Sequence, residues 1–148
     1  MDGYRHILVP VDFSKHSEEA VRAARTLAKT FDGKMELLHV IDQRYAQLGY
    51  GHAFFPIEEN AAQLREIALQ RFAEFKEALD LDDSVELNVL AGVPFDVVLE
   101  RAQKGDVDLI VMGTHGHTGV SRFIMGSQSE SVVRRSPIPV LVVHAHKD

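Results

Sequence analysis

Cysteine and tryptophan are both missing from this chain of 148 residues. Without thiols there is no disulfide framework and no thiolate nucleophile or metal ligand, so an apolar core must carry the fold and a reducing compartment suits it. A basic excess is also missing. Against 16 Lys and Arg stand 22 Asp and Glu, a formal net charge of −6, the wrong sign for a surface that follows a phosphate backbone, so no nucleic-acid partner is expected. No apolar run approaches the roughly 20 residues of a membrane span, and no membrane insertion is expected. The opening Met1 to His6 lacks the pattern of a signal peptide, which makes the cytoplasm the expected location. Linkers, repeats and low-complexity stretches are absent too. What remains is a single domain over residues 1–148, 45% hydrophobic, long enough to bury about two-thirds of the surface its unfolded chain exposes.

Hydrophobic periodicity divides the chain into alternating segments. His6 to Val11 is a short apolar run ended by Asp12 and reads as a buried strand. Ala20, Val21, Ala24, Leu27, Ala28 and Phe31 then share one helical face, with Ser14 as N-cap and Asp32-Gly33 as the stop. Met35 to Ile41 is a second strand, and residues 42–56, with Gly49, Gly51, Pro56 and several aromatics, read as a long loop. Ile57, Ala61, Leu64, Ala68, Phe72, Phe75 and Leu79 mark a long amphipathic helix. Ser84 to Leu90 alternates as a strand, and Gly92-Val93-Pro94 opens a helix to about Lys104. Val107 to Met112 is a strand, Ser127 to Arg135 a helix and Pro139 to His144 a last strand. This alternation predicts an α/β fold: an open, doubly wound, mainly parallel five-stranded sheet with helices on both faces. The expected strand order is 3-2-1-4-5, which makes the first and fourth strands neighbours at the point where ligands bind in such sheets.

Both of those strands end in unusual residues: Pro10-Val11-Asp12 after the first, Gly113-Thr114-His115-Gly116 after the fourth. Closely spaced glycines let backbone approach a ligand where a Cβ would clash. Gly126-Ser127 then begins a helix, offering N–H groups and a hydroxyl to an anion. From Gly113 to Arg135 the chain carries Arg122, Arg134 and Arg135 against Glu130 alone, so this stretch is net positive within an acidic protein. Together these features point to a phosphate site.

Gly113, two residues, Gly116, nine residues, then Gly126-Ser127 resembles the glycine pattern of the ATP-binding branch of the universal stress protein family. Val9-Pro10-Val11-Asp12-Phe13-Ser14, Leu38-His39-Val40, Gly92-x-Pro94, Asp108 to Gly113 and Pro139 to Val143 are similar to that family as well, so the resemblance covers almost the whole chain. It implies a Rossmann-like, adenine nucleotide α-hydrolase-like fold. It also implies a nucleotide-binding set of Pro10, Val11, Asp12, Val40, Met112, Gly113, Gly116, Arg122, Gly126, Ser127, Gln128 and Ser129. In that set Asp12 lies by the ribose or a phosphate-bound cation, Val40 against the adenine and Met112-Gly113 along the ligand. The implied ligand is ATP, with ADP and AMP as alternatives, and Mg²⁺ arrives with the nucleotide. Related proteins dimerise through the last strand, so a homodimer through Val140 to Val143 is expected, together with a protein partner of unknown identity.

Each residue has a plainer role open to it. Asp12 could simply cap the first helix, Val40 could be sheet core, and Arg122 could be a solvated arginine rather than a phosphate contact. Arg134 and Arg135 end a helix, where cations complement the dipole. Gln128 stands where similar proteins commonly carry a small or apolar residue. The pairs His115/His117 and His144/His146 have ligand-like spacing but no partner fixed by it, and a dedicated metal site is not expected. There is no P-loop, and no lysine lies between Gly105 and His146. With no residue standing out to orient a nucleophile, no catalytic residue is assigned. The expected function is a nucleotide-dependent sensor or switch in stress response with at most slow hydrolysis. The alternatives are an interaction module working through dimerisation and a low-turnover ATPase or autokinase. A two-component receiver is excluded because Asp12 is unpaired in sequence and neither an acceptor Asp nor the late Lys is present.

Overall fold

The computed structural model describes residues 3–42, 57–114 and 125–144. Five parallel strands, β1 (His6–Pro10), β2 (Lys34–Asp42), β3 (Glu86–Gly92), β4 (Leu109–Gly113) and β5 (Val140–Val143), lie in the order β3-β2-β1-β4-β5. This is the expected order. Strand ends differ from the sequence reading by a residue or two, as at β3, where pairing rather than alternation sets the limits. Among the described residues the helices are α1 (Lys15–Thr30), α2 (Ile57–Leu79), α3 (Pro94–Ala102) and α4 (Ser127–Arg135).

Side chains alternate across the central strands and so feed two cores. Ile7 and Val9 of β1 with Leu109 and Val111 of β4 pack under α1 and α2. Leu8 of β1 with Ile110 and Met112 of β4 pack under α3 and α4. Ile7, Leu8 and Val9 have no exposed surface, and each such burial is worth about 1.5–3 kcal/mol. On α2, Ala68, Phe75 and Leu79 are buried while Ile67 and Leu69 face out; Ile57 and Ala61 lie outside the described side chains.

The helix ends follow from local chemistry. Ser14 caps α1 by accepting the Ser17 N–H at 3.4 Å. Asp32, at φ +52°, turns the chain out, and the Gly33 N–H reaches the Ala28 carbonyl at 2.8 Å. A Cβ on Gly33 would lie 2.7 Å from the carbonyl oxygens of both Tyr4 and Arg5, so only glycine fits. Helix α3 stops at Ala102, before the expected Lys104, because the chain turns there toward Gly105 at φ +89°.

At the amino ends of the strands lies a buried polar network that the sequence reading did not foresee. Glu36 of β2 accepts from His6 Nε2 at 2.8 Å, from Asn88 Nδ2 at 2.9 Å and from Arg101 at 2.7 and 2.8 Å. Arg101 also holds Asp106 with two hydrogen bonds of 2.7 and 2.9 Å. Burial alone would raise the Glu36 carboxyl, but the hydrogen bonds from Arg101, His6 and Asn88 outweigh it and hold it below its ordinary value. The Arg101 hydrogen bonds hold Asp106 well below the usual carboxylate range. This network ties β1, β2, β3 and α3 together at the end of the sheet opposite the carboxyl ends of the strands.

Candidate functional site

At the switch point, β1 pairs with β4 through Ile7↔Leu109 and Leu8↔Ile110. Their carboxyl ends therefore open side by side onto a cavity of about 400 Å³. Pro10, Val11 and Asp12 reach it from β1, Val40 from β2, and Met112 and Gly113 from β4. Gly126, Ser127, Gln128 and Ser129 reach it from the start of α4. The structure thus brings ten of the twelve expected site residues to one cavity. Gly116 and Arg122 lie outside the described residues, as do His115, His117, His146 and the aromatic segment 43–56. Among the described residues no cluster of His, Asp and Glu is placed to hold a metal ion.

The loop after β1 is tightly built. Asp12 Oδ1 accepts the Ser14 N–H at 3.0 Å and the Ser17 hydroxyl at 2.7 Å, while the Asp12 N–H donates to Ser17 Oγ at 2.8 Å. Asp12 therefore supports the start of α1 and also faces the cavity. Phe13 beside it has φ +65°, a costly backbone for a bulky residue. Its ring is held 4.9 Å from His39 and 5.5 Å from Phe75. His39 Nδ1 donates to the Val11 carbonyl at 2.9 Å, since a carbonyl can only accept. Strain secured by neighbours in this way fixes where Asp12 points.

The other side is formed by α4. Its N-cap, Gly126, has no side chain to cap the helix. Glu130 makes the first helical bond, donating to the Gly126 carbonyl at 2.9 Å, so the N–H groups of Ser127, Gln128 and Ser129 are the outward donors of the first turn. The Gly126 N–H is not among them, because it donates to the Thr114 carbonyl at 2.8 Å. Ser129 Oγ donates to the Gly113 carbonyl at 2.9 Å, which locks the helix start to the end of β4.

Gly113 has a further reason to be glycine that its spacing does not show. A Cβ there would meet His16 of α1, at 2.8 Å from its Cβ and 3.0 Å from its carbonyl oxygen. The glycine is demanded by packing against α1, with the cavity as a second consequence.

Several lining residues were missed. Leu38, Val98 and Val132 supply apolar floor, Ser17 joins Asp12, and Pro94 and Phe95 form a wall from the start of α3. Leu38, Val98 and Val132 resemble any core residue in sequence, and only tertiary placement distinguishes them. Gln128 is explained by that wall: its Oε1 accepts the Phe95 N–H at 2.9 Å. Apolar walls and floor with a few convergent polar groups are the usual make-up of a small-ligand site, and the volume falls within the roughly 300–1,000 Å³ of such sites.

The sequence model of the Universal stress protein family matches residues 3–144. The universal stress protein MJ0531 of Methanocaldococcus jannaschii is 34% identical over 145 residues, covering 97% of this chain and 84% of the relative. MJ0577 of the same organism is 31% identical over 153 residues, covering 95% of this chain and 94% of its own length. The solved structure of MJ0577 superposes with a TM-score of 0.80 at 30% identity, covering 98% of this chain and 99% of the other. A universal stress protein crystallised in complex with cAMP superposes with a TM-score of 0.64 at 26% identity, over 97% of this chain and 99% of the other.

Proposed function

This chain belongs to the universal stress protein family, and from that premise we propose that it binds ATP and acts as a nucleotide-dependent sensor or switch. The observation that carries the reading is the convergence of Asp12, Val40, Gly113 and the start of α4 on one cavity at the switch point. The first-turn N–H groups of Ser127, Gln128 and Ser129, with the Ser127 hydroxyl, suit phosphate oxygens. Leu38, Val40, Val98 and Val132 suit the face of a purine. A relative in complex with cAMP supports an adenine nucleotide as the ligand class.

Asp12 is the acidic residue among the described lining residues. It serves the ribose hydroxyls or a Mg²⁺ ion carried in by the phosphates, which keeps most of its own water and needs few protein ligands. Phosphoryl transfer wants a positioned cation and a group that orients the nucleophile. The described lining residues include neither lysine nor a second carboxylate, which favours retention of ATP with at most slow turnover. Residues 1–148 form a single universal stress protein domain in this reading. It pairs with a second copy through β5, and a further protein partner reads the bound state.

The test is mass spectrometry of any nucleotide released on denaturing freshly purified protein, followed by calorimetry with ATP, ADP, AMP and cAMP in the presence of Mg²⁺. Recovery of an adenine nucleotide and saturable ATP binding are expected. Release of ADP after loading with ATP moves the protein toward the hydrolase alternative. Neither release nor binding at millimolar ATP overturns the reading and leaves an interaction module.

A further inference from the structure

We propose that Phe95 is a base-stacking residue of this cavity, pinned in place by two residues of α4, Gln128 and Arg135. The inference rests on the nucleotide reading above and names the residue that meets the base. Phe95 is the second residue of α3 and lines the cavity beside Pro94 and Val98. The N-cap of α3 is Val93, which has no side chain able to cap it, so the first N–H groups of the helix need acceptors from elsewhere. Gln128 supplies one: its Oε1 takes the Phe95 N–H at 2.9 Å across the gap between the two helices. A backbone N–H can only donate, so this bond dictates which end of the Gln128 amide faces α3.

The ring is held separately from the backbone. The Arg135 guanidinium carbon lies 5.6 Å from the ring centroid, within the range over which a cation is attracted to an aromatic face. Arg135 thus does more than complement its helix dipole. A phenylalanine needed only for the core would be buried in it. Phe95 instead sits half-buried at the margin of the Val97, Val98 and Val132 cluster, with the cavity beside it. An aromatic ring fixed at both backbone and side chain loses little further entropy when a flat ligand lies on it. Every purine offers a π-face, so stacking supplies affinity for the base without reading its edge. The same helix whose first turn faces the phosphates therefore also sets the wall for the base, and Gln128 connects the two.

The test compares full-length wild type, Phe95→Leu and Phe95→Tyr by calorimetry with ATP and with inorganic tripolyphosphate, which has the charge but no base. Thermal unfolding of each variant shows that it is folded. Proton NMR of bound ATP reads the adenine H2 and H8 shifts. Phe95→Leu is expected to weaken ATP on the order of tenfold, leave tripolyphosphate unchanged and abolish an upfield ring-current shift of the adenine protons. Phe95→Tyr is expected to restore both. Unchanged ATP affinity in Phe95→Leu, or a parallel loss of ATP and tripolyphosphate, overturns this inference while the nucleotide reading stands. A wild type that binds no ATP overturns the nucleotide reading, and this inference with it.

Discussion

Gly113 and His16 are packed so closely that β4 can end there only in glycine: a Cβ on Gly113 would come within 2.8 Å of the His16 Cβ. The closeness draws the end of β4 against α1 at the place where Asp12, Ser17 and Gly113 share one cavity wall. A residue whose spacing suggests ligand contact is thus first a packing requirement.

Gly113→Ala is therefore expected to lower stability by about 1–3 kcal/mol, the usual cost of forcing extra volume into a packed site. Urea denaturation would show it as a lower midpoint with unchanged slope. A midpoint equal to wild type would show that α1 yields freely, and Gly113 would return to being a ligand-side glycine.

Ser127→Asp separates binding from folding. Ser127 is exposed at the first position of α4, where a carboxylate complements the helix dipole. The expected outcome is equal or slightly higher thermal stability together with loss of ATP binding, because the new charge opposes the phosphates. Retained ATP affinity by calorimetry would place the phosphates elsewhere.

Gln128→Leu should leave the Phe95 N–H without its acceptor and cost about 1–3 kcal/mol. Gln128→Glu keeps an oxygen for that bond and is expected to unfold near wild type. Equal destabilisation by both would assign the effect to side-chain packing rather than to the hydrogen bond.

The network around Glu36 predicts acid sensitivity. The folded-state carboxyl lies below its ordinary value of 4.5, so its stabilising contribution is complete above that pH and lost as the pH falls through the lower, folded-state value. Asp106, also held low, acts with the same sign. Glu36→Ala, which removes the acceptor of His6 and Asn88 and leaves Arg101 with Asp106 alone, is expected to cost about 1–3 kcal/mol at neutral pH. Unfolding free energy measured against pH should fall less steeply below 4.5 in Glu36→Gln than in wild type. Parallel curves would show that other carboxylates govern acid unfolding.

Strand β5 lies at the edge of the sheet, and Leu141 on it is 39% exposed. An apolar edge invites pairing with a second copy. Light scattering at micromolar concentration is expected to give a dimer for wild type and a monomer for Leu141→Arg. A monomeric wild type would remove β5 as the interface.

Much of the site is legible in the sequence because it depends on features that leave local marks. A strand followed by Pro10-Val11-Asp12, glycines at 113, 116 and 126, and Ser127 at a helix start can be seen without coordinates, since turn chemistry and helix termini act over a few residues. Alternation of period and segment length is likewise enough to predict a doubly wound sheet, while the pairing of β1 with β4 is seen in the structure. Long-range partners leave no such mark. Arg101 and Glu36 are 65 positions apart, and Phe95 and Gln128 are 33 apart. Nothing in their own neighbourhoods reveals that one needs the other.

By itself, then, the sequence determined the order of elements, the doubly wound class and the unusual residues at the strand and helix ends, because periodicity, caps and turns are short-range physics. Only the tertiary structure decided why Gly113 must be glycine, what Gln128 holds and that Phe95 forms a wall. Those are matters of distance between segments, and packing sets them after the chain has folded.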